Sequence, residues 1–390
     1  MSGLSATLLY FLFDRELYFI LHSEFLSAIY ALLSKVAFCI VCMLALNKTH
    51  INNRYKAVLC VLLPVIEVIG STLVNNGDLR RAVMMVYPLI GLMLLIMVQC
   101  TTKTKIVSFV HNLSNLYFGL CAINFLFLIM LPRFFFNHGS GGEIYFLGIE
   151  NQIGYPLVKG FCFVYLDSFF SHKHTKLYLY AIMHCVTIFF IFSGSNVVGY
   201  LCMLAIMTKT PLRKIITSIA MDKIIALFMA IICGLFLFEL LVSLLESAWV
   251  EYIVVELLGK NLTLTNRTNI WATVVSDFFT SPWLGYGVRD TVTLFEYRGF
   301  YFSAHNQFLQ SLYESGALYF ASLIPVVKLF SDCLSRSVAQ VRAILSAVFL
   351  ATMIMFLGEA PGMDKILLLI IVSIGISGYF IPRSTSIYIQ

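Results

Sequence analysis

Apolar residues run along this chain in blocks separated by short polar stretches, from one end of the sequence to the other. The blocks fall at about 25–46, 57–74, 82–100, 109–131, 155–170, 177–193, 195–208, 220–245, 306–330, 338–357 and 364–381. Repeats of this kind mark helices that cross a bilayer, because a hydrocarbon core of about 30 Å needs about 20 helical residues. A transmembrane barrel would instead alternate apolar and polar positions in segments of about 10, and no such alternation occurs. The stretch 4–22 is ambiguous. Asp14, Arg15 and Glu16 interrupt it, so it reads either as one more span or as a helix lying in the interface. The expected fold class is all-α: a polytopic transmembrane helix bundle of about 11–12 spans. No polar segment exceeds about 60 residues, short of the usual domain size of about 100. Residues 1–390 therefore read as a single integral membrane domain.

Composition agrees, with 60% hydrophobic and 12% charged residues. A soluble domain has about 45–50% and about 25%. The formal charge of +6 is spread over short loops, which points to topology signals rather than to nucleic acid. The basic loops 47–56, 101–105, 171–176 and 208–214, and the stretch around Arg336 and Arg342, alternate along the chain and are expected to be cytoplasmic. That places 75–81, 132–154, 246–304 and 358–363 outside, with Arg80 and Arg81 against the bias. If 4–22 spans, both ends lie inside. The opening MSGLSATLLYFLFDRE has neither a basic n-region nor a small-residue cleavage site, so no cleavable signal peptide is expected.

The ten cysteines lie in apolar spans or on the expected inner side. The CxxC of Cys39 and Cys42 sits inside an apolar run and reads as ordinary small buried side chains. Outer acidic residues are scattered, with no DxD or carboxylate cluster, so no metal or cofactor is expected. Glu143 and Glu150, seven apart in one outer loop, are weak candidates for contact with a ligand or cation. Lys159, near the outer end of a span, is either functional or snorkels to the headgroups. Glu67, close to Pro64, and Glu239 are intramembrane charges of the kind a transporter uses. NLT (261–263) and NRT (266–268) match the glycosylation sequon, a pattern short enough to arise by chance.

Two outer segments stand out. PRFFFNHGSGGEIYFLGIENQIGY (132–155) carries glycine-rich turns flanked by aromatics. The loop 245–305 precedes the last three spans and is much longer than any other connection. Such loops are functional or disordered, and Trp249, Trp271, Trp283, Tyr286, Tyr297 and Phe300 argue against disorder. Short amphipathic helices on the membrane surface are expected there. The aromatics are read as anchors of the loop at the interface. Next comes SAHNQFLQSLYESG (303–316). Asn306, Gln310 and Glu314 are spaced i, i+4, i+8, a polar stripe joined by Gln307 that runs about two turns below the outer surface. In a bilayer such a stripe faces protein or a wet cavity. His305, at the start of this helix, is a candidate base or a capping residue, and Glu314 lies on the face opposite to it.

NRTNIWATVVSDFFTSPWLGYGVRD (266–290) followed by SAHNQFLQSLYESGALYF (303–320) resembles the signature region of the O-antigen polymerase and O-antigen ligase superfamily. The pattern is an Arg opening a short helix, an SP-x-x-G-x-G turn, then HN-x-x-L with E-x-G about one helix further on. Here these are Arg267, the turn Ser281–Gly287, His305–Asn306 with Leu309, and Glu314 with Gly316. The likeness covers about 55 residues. Elsewhere it extends only to the layout of spans. Many members also carry an Arg in a middle span, where this chain reads FSGSNVVG (192–199) with Ser195 and Asn196.

The resemblance implies glycosyl transfer at the periplasmic face of a bacterial inner membrane, without metal or cofactor. The donor would be an undecaprenyl-diphosphate-linked oligosaccharide. The acceptor would be a second lipid-linked repeat unit, or lipid A-core in the ligase. It further implies His305 as base and Arg267 and Arg289 on the diphosphate. Asn306, Gln310, Glu314 and Lys159 would line the substrate site, with Glu314 more a support than a sugar contact. A chain-length regulator and a flippase would be natural partners. Three enzymes fit: a polymerase, the ligase, and a transferase of glycan to protein. The missing middle-span Arg favours the polymerase. A transporter or flippase is the alternative from another class.

Overall fold

The computed structural model describes residues 2–14, 24–46, 55–130, 144–208, 214, 223, 267–289, 295–297, 300–362 and 370–372. The chain is helical. Helices α1 (Gly3–Asp14), α2 (Glu24–Leu46), α3 (Tyr55–Val74), α4 (Leu79–Gln99) and α5 (Lys103–Met130) lead into a short hairpin of β1 (Ile144–Tyr145) and β2 (Gly148–Ile149). Helices α6 (Gly154–Ser171), α7 (Thr175–Ile191) and α8 (Gly194–Met207) follow. Part of the large loop forms α9 (Arg267–Thr280) and a second hairpin of β3 (Phe295–Tyr297) and β4 (Phe300–Phe302). The chain then enters α10 (Gln307–Ser335) and α11 (Ala339–Phe356). The two antiparallel hairpins, paired Ile144 to Ile149 and Phe295 to Phe302, are small exceptions to the expected all-α class. Both lie in the outer loops, where no bilayer forces the backbone to be helical.

Five of these helices are long and apolar enough to cross a membrane: Phe25–Ala45 within α2, Leu79–Gln99, Lys103–Met130, Gln307–Ser335 and Ala339–Phe356. Gly3–Asp14, Val58–Val74, Thr175–Ile191 and Gly194–Met207 are apolar but shorter. By helix length and hydropathy this is a multi-pass membrane protein. The expected spans 220–245 and 364–381 lie outside the described residues, apart from Lys223 and Ile370–Val372. Outside them too are Glu143, Glu239, Trp249 and the NLT sequon.

Burial follows the pattern of side chains. Helices α6 and α11 are apolar nearly all round and are buried on almost every side, so they form the middle of the bundle. Helix α8 runs along α11, α5 along α6, and α3 along α10. Helix α2 lies at the edge, with Phe25, Leu32, Leu33 and Met43 exposed as a lipid-facing surface would be.

The ambiguous N-terminal stretch resolves in part. Helix α1 packs into the bundle against α4, α5 and α2, with Ala6, Tyr10 and Phe13 buried. The acid that breaks its apolar pattern has a partner inside the bundle. Asp14 Oδ1 accepts from Lys159 Nζ at 2.6 Å, and its Oδ2 accepts from the Tyr117 hydroxyl. Lys159 therefore does not snorkel: its side chain is only 7% exposed. A buried charge is tolerated where it is paired and hydrogen-bonded, and this pair ties α1, α5 and α6 together.

The connections separate into two ends. At one end, Asp167 of α6 accepts from Lys176 Nζ at 2.8 Å and faces His111 Nδ1 at 2.9 Å, with Ser168 and His174 2.7 Å apart nearby. These belong to the loop expected inside. At the other end, Ser193 meets Asn151 at 3.1 Å and Asn196 donates to Glu150 O at 3.1 Å. The α3–α4 connection, the large loop, the start of α10 and the end of α11 meet one another through Val288 with Asp78 and Gln307 with Gly362. Among the described residues, the start of α5 and the α6–α7 connection thus share one end of the bundle.

Candidate functional site

The site is organised by a break in α10. Gly316 has φ 65° and ψ −166°, so the helix stops there and restarts one residue later. A break frees backbone groups that a helix would pair, and in a membrane these must find partners within the protein. The turn Ser281–Gly287 supplies them. Ala317 N donates to Pro282 O at 2.8 Å and Leu318 N to Trp283 O at 3.1 Å. In return Tyr286 N donates to Tyr313 O and Gly287 N to Glu314 O, both at 2.8 Å. Leaving buried groups of this kind unpaired would cost about 1–3 kcal/mol each. Two glycines permit the close approach. A Cβ on Gly285, at φ 62°, would sit 2.7 Å from Ser315 N, and one on Gly316 would sit 2.7 Å from Gly285 N. The SPWLGYG turn and the E-S-G of α10 are thus two halves of one structure.

Helix α3 closes this junction from below. Ser71 Oγ donates to Leu284 O, with Glu314 O 3.1 Å away. Thr72 Oγ1 accepts from Val288 N at 3.1 Å, and Asp78 N donates to Val288 O at 2.7 Å. Helix α9 covers the junction from outside. Its Ile270 and Val274 pack with Ala304, Leu309 and Tyr313, and Trp271 Nε1 donates to Ala304 O at 2.8 Å. This amphipathic helix therefore spends its apolar face on α10. Phe279 and Trp283 stay exposed, as interfacial anchors do. Tyr286 stacks on Tyr313 at 4.8 Å, and its hydroxyl donates to Asp277 O at 2.9 Å, so this aromatic anchors the loop on protein. Burial raises the carboxyl of Asp277, at the end of α9, above the usual carboxylate range.

The polar stripe of α10 is largely spent on the protein itself. Asn306 caps the helix, its side chain accepting from Phe308 N at 3.0 Å and Leu309 N at 3.2 Å. Gln307 accepts from Gly362 N at 2.6 Å and donates to Ser311 at 3.1 Å. Gln310 accepts from Ala304 N and donates to Glu314 Oε1, both at 3.0 Å. These side chains clamp the large loop and the end of α11 onto the mouth of α10.

His305 stands apart from that clamp. Its φ is 45°, an uncommon region for a residue with a side chain, and such outliers cluster at functional sites. Nδ1 lies 3.5 Å from Glu359 Oε1 and makes no hydrogen bond of normal geometry, and the side chain is 33% exposed. Glu359 is buried in the GEAPG segment after α11. Ser195 of the middle-span segment lies against that segment, because a Cβ on Gly358 would meet Ser195 Cβ at 2.7 Å.

The structure thus brings His305, Asn306, Gln310, Glu314 and Arg289 to one end of the bundle, around the outer turns of α10. Helix α9 begins at Arg267, whose side chain lies outside the described residues, as do Asp290 and the side chain of Tyr297. Lys159 is not gathered there and pairs with Asp14 instead. Sequence reasoning missed two neighbours. Glu359 was one charge in a short glycine–proline loop, with nothing to tie it to His305. Arg81 was seen only as a breach of the charge bias, yet its Nη1 donates to Arg289 O at 2.9 Å. Among the described residues no three His, Cys, Asp or Glu side chains come together as metal ligands would.

Compared with known proteins, the chain matches no family model and no curated sequence.

Proposed function

We propose that the protein is a surface-polysaccharide polymerase of the O-antigen type, an all-α bundle of about 11–12 spans set in a bacterial inner membrane. It joins undecaprenyl-diphosphate-linked repeat units at the periplasmic face. The observation that carries the reading is the junction between Ser281–Gly287 and Glu314–Gly316. Two sequence motifs, at 281–287 and 314–316, interlock through backbone hydrogen bonds beside a one-third-exposed His at the mouth of a broken helix.

The chemistry follows from the groups present. In the transfer, the bond between the donor sugar's anomeric carbon and the diphosphate oxygen breaks, and the diphosphate leaves with the electron pair. The acceptor hydroxyl forms the new bond to that carbon and gives its proton to His305. With Nδ1 turned to Glu359, the other ring nitrogen is the one that takes it. Glu359 orients the ring and stabilises the imidazolium. Charge growing on the diphosphate is met by Arg267 and Arg289, whose guanidinium forks match phosphate oxygens. Gln310 holds the loop at Ala304, Asn306 caps α10, and Gln307 holds the segment after α11. An oxocarbenium-like transition state makes positioning and charge stabilisation the main sources of rate.

The ligase reading shares all of this and is disfavoured by Ser195 and Asn196 where the middle-span Arg is expected. A transporter reading draws on the buried Asp14–Lys159 pair and on Glu67, whose carboxylate oxygens are buried without hydrogen bonds. The test is the surface-glycan ladder after gene deletion, with the gene restored as control. Core bearing a single repeat unit is expected. Bare core with polymer left on undecaprenyl diphosphate would make the protein the ligase. An unchanged ladder would return the transporter and protein-glycosylation readings.

A further inference from the structure

Arg80 and Arg81 open α4 at the same end of the bundle as the site, and both run against two electrostatic preferences. They breach the charge bias of the loops, and they sit in the first helical turn, where the dipole disfavours cations. The one carboxylate in that turn, Asp78, is engaged as the cap, its Oδ1 accepting from Arg81 N at 2.9 Å. Arg80 is exposed and Arg81 half-buried. The Arg81 guanidinium reaches the large loop, donating to Arg289 O at 2.9 Å, and lies within electrostatic range of Glu314. Arg289 in turn lies within electrostatic range of the Tyr313 phenol. The junction of turn and broken helix therefore collects Arg80, Arg81, Arg289 and a helix N-terminus against Glu314 and Asp78.

Anchoring the loop does not require this charge. Val288, one residue before Arg289, is already held on both sides by neutral groups: its N–H on Thr72 Oγ1 at 3.1 Å and its carbonyl by Asp78 N at 2.7 Å. A neutral amide would serve Arg289 O equally well. What Arg81 adds is a fixed positive charge with a planar fork of donors, held on the backbone of a second arginine, Arg289. That geometry suits a tetrahedral oxyanion.

We propose that Arg81, together with Arg289, forms a binding site for a phosphate or diphosphate group at this junction. In the polymerase reading, on which the identity of the ligand rests, the group is the diphosphate joining sugar to lipid. Glu314 braces the arginines from the helix side, and Gln310 holds Glu314 at 3.0 Å.

The test uses the full chain in nanodiscs of zwitterionic lipid. Dissociation constants are measured for undecaprenyl diphosphate, undecaprenyl phosphate and inorganic pyrophosphate. Wild type is expected to bind the lipid diphosphate and Arg81→Ala to weaken it at least tenfold. Arg81→Gln is the decisive variant, because it keeps a donor for Arg289 O and removes the charge. It should fold with the wild-type Tm and still lose at least fivefold in affinity, while Arg81→Lys loses less. Competition by pyrophosphate would assign the site to the free anion as well as to the lipid. Binding of the lipid diphosphate without such competition would assign it to the lipid-linked form. Wild-type affinity in Arg81→Gln, or no preference of wild type for the lipid diphosphate over the nanodisc lipid, overturns the proposal. The two readings fail separately. An Arg81-dependent site with an unchanged glycan ladder on deletion sinks the polymerase and keeps the site. Loss of polymer on deletion with wild-type binding in Arg81→Gln does the reverse.

Discussion

Among the described residues, two polar clusters within the apolar bundle are built differently. In the first, Asp14, Lys159 and Tyr117 lie deep between α1, α5 and α6, with Asp14 and Lys159 nearly inaccessible and 2.6 Å apart. In the second, at the mouth of α10, Gln310 and Glu314 are bonded to each other, while His305 is one-third exposed and 3.5 Å from its carboxylate. A buried pair at close hydrogen-bonding distance has nothing left to offer a substrate and acts by holding helices together. A one-third-exposed His, 3.5 Å from its carboxylate and on an uncommon backbone conformation, is not saturated in this way. Both clusters carry charge into a membrane protein, which alone would mark each as a functional candidate. Saturation and exposure separate them.

That contrast can be broken by exchanging the damage. His305→Ala should lower transfer by about 10²–10⁴-fold, the usual worth of a general base, at unchanged membrane insertion and Tm. Lys159→Ala should do the opposite. It strands Asp14 in the bundle and should cost about 3–5 kcal/mol of stability, read by thermal unfolding in detergent. Protein that remains folded should keep its transfer rate, and the double variant with Asp14→Leu should recover most of the lost stability. A catalytic defect in folded Lys159→Ala protein would return Lys159 to the site.

Gly316→Ala tests the junction itself. At φ 65° a side chain is disfavoured, and its Cβ would run into Trp283 and Gly285. A loss of about 1–3 kcal/mol is expected, together with faster proteolysis of the loop 281–289. Intact loop protection in that variant would show that α3 and α9 hold the turn without the break in α10.

The smallest effect concerns Asp277. Its carboxyl is raised by burial, so the folded state disfavours its ionised form. Below the ordinary carboxylate pKa of about 3.9 the group is neutral in both states and there is no penalty. The penalty grows as pH rises through the raised folded-state value and persists above it. Asp277→Asn should therefore raise Tm slightly at pH 7, by about 1–2 °C, and leave it unchanged near pH 3. An equal gain at both pH values would assign the effect to something other than ionisation.

The sequence by itself determined the class of molecule and the placement of its helices. Hydrocarbon thickness sets a length that only an apolar run can meet, so spans such as 82–100 and 338–357 correspond to Leu79–Gln99 and Ala339–Phe356 within a few residues. It also picked out 303–316 as an uncommon density of hydrogen-bonding groups, visible without coordinates. It could not tell a clamp from a site. Asn306, Gln307 and Gln310 read as a stripe facing a cavity, and the tertiary structure turns Asn306 to the first backbone N–H groups of its own helix, Gln307 to the GEAPG segment and Gln310 to the loop at Ala304. Nor could spacing pair Asp14 with Lys159, His305 with Glu359, or Arg81 with Arg289, residues separated by 145, 54 and 208 positions. Helical periodicity reports which residues share a face. Which faces meet is decided by packing among helices, since in lipid every freed backbone group and every buried charge must find its partner within the protein.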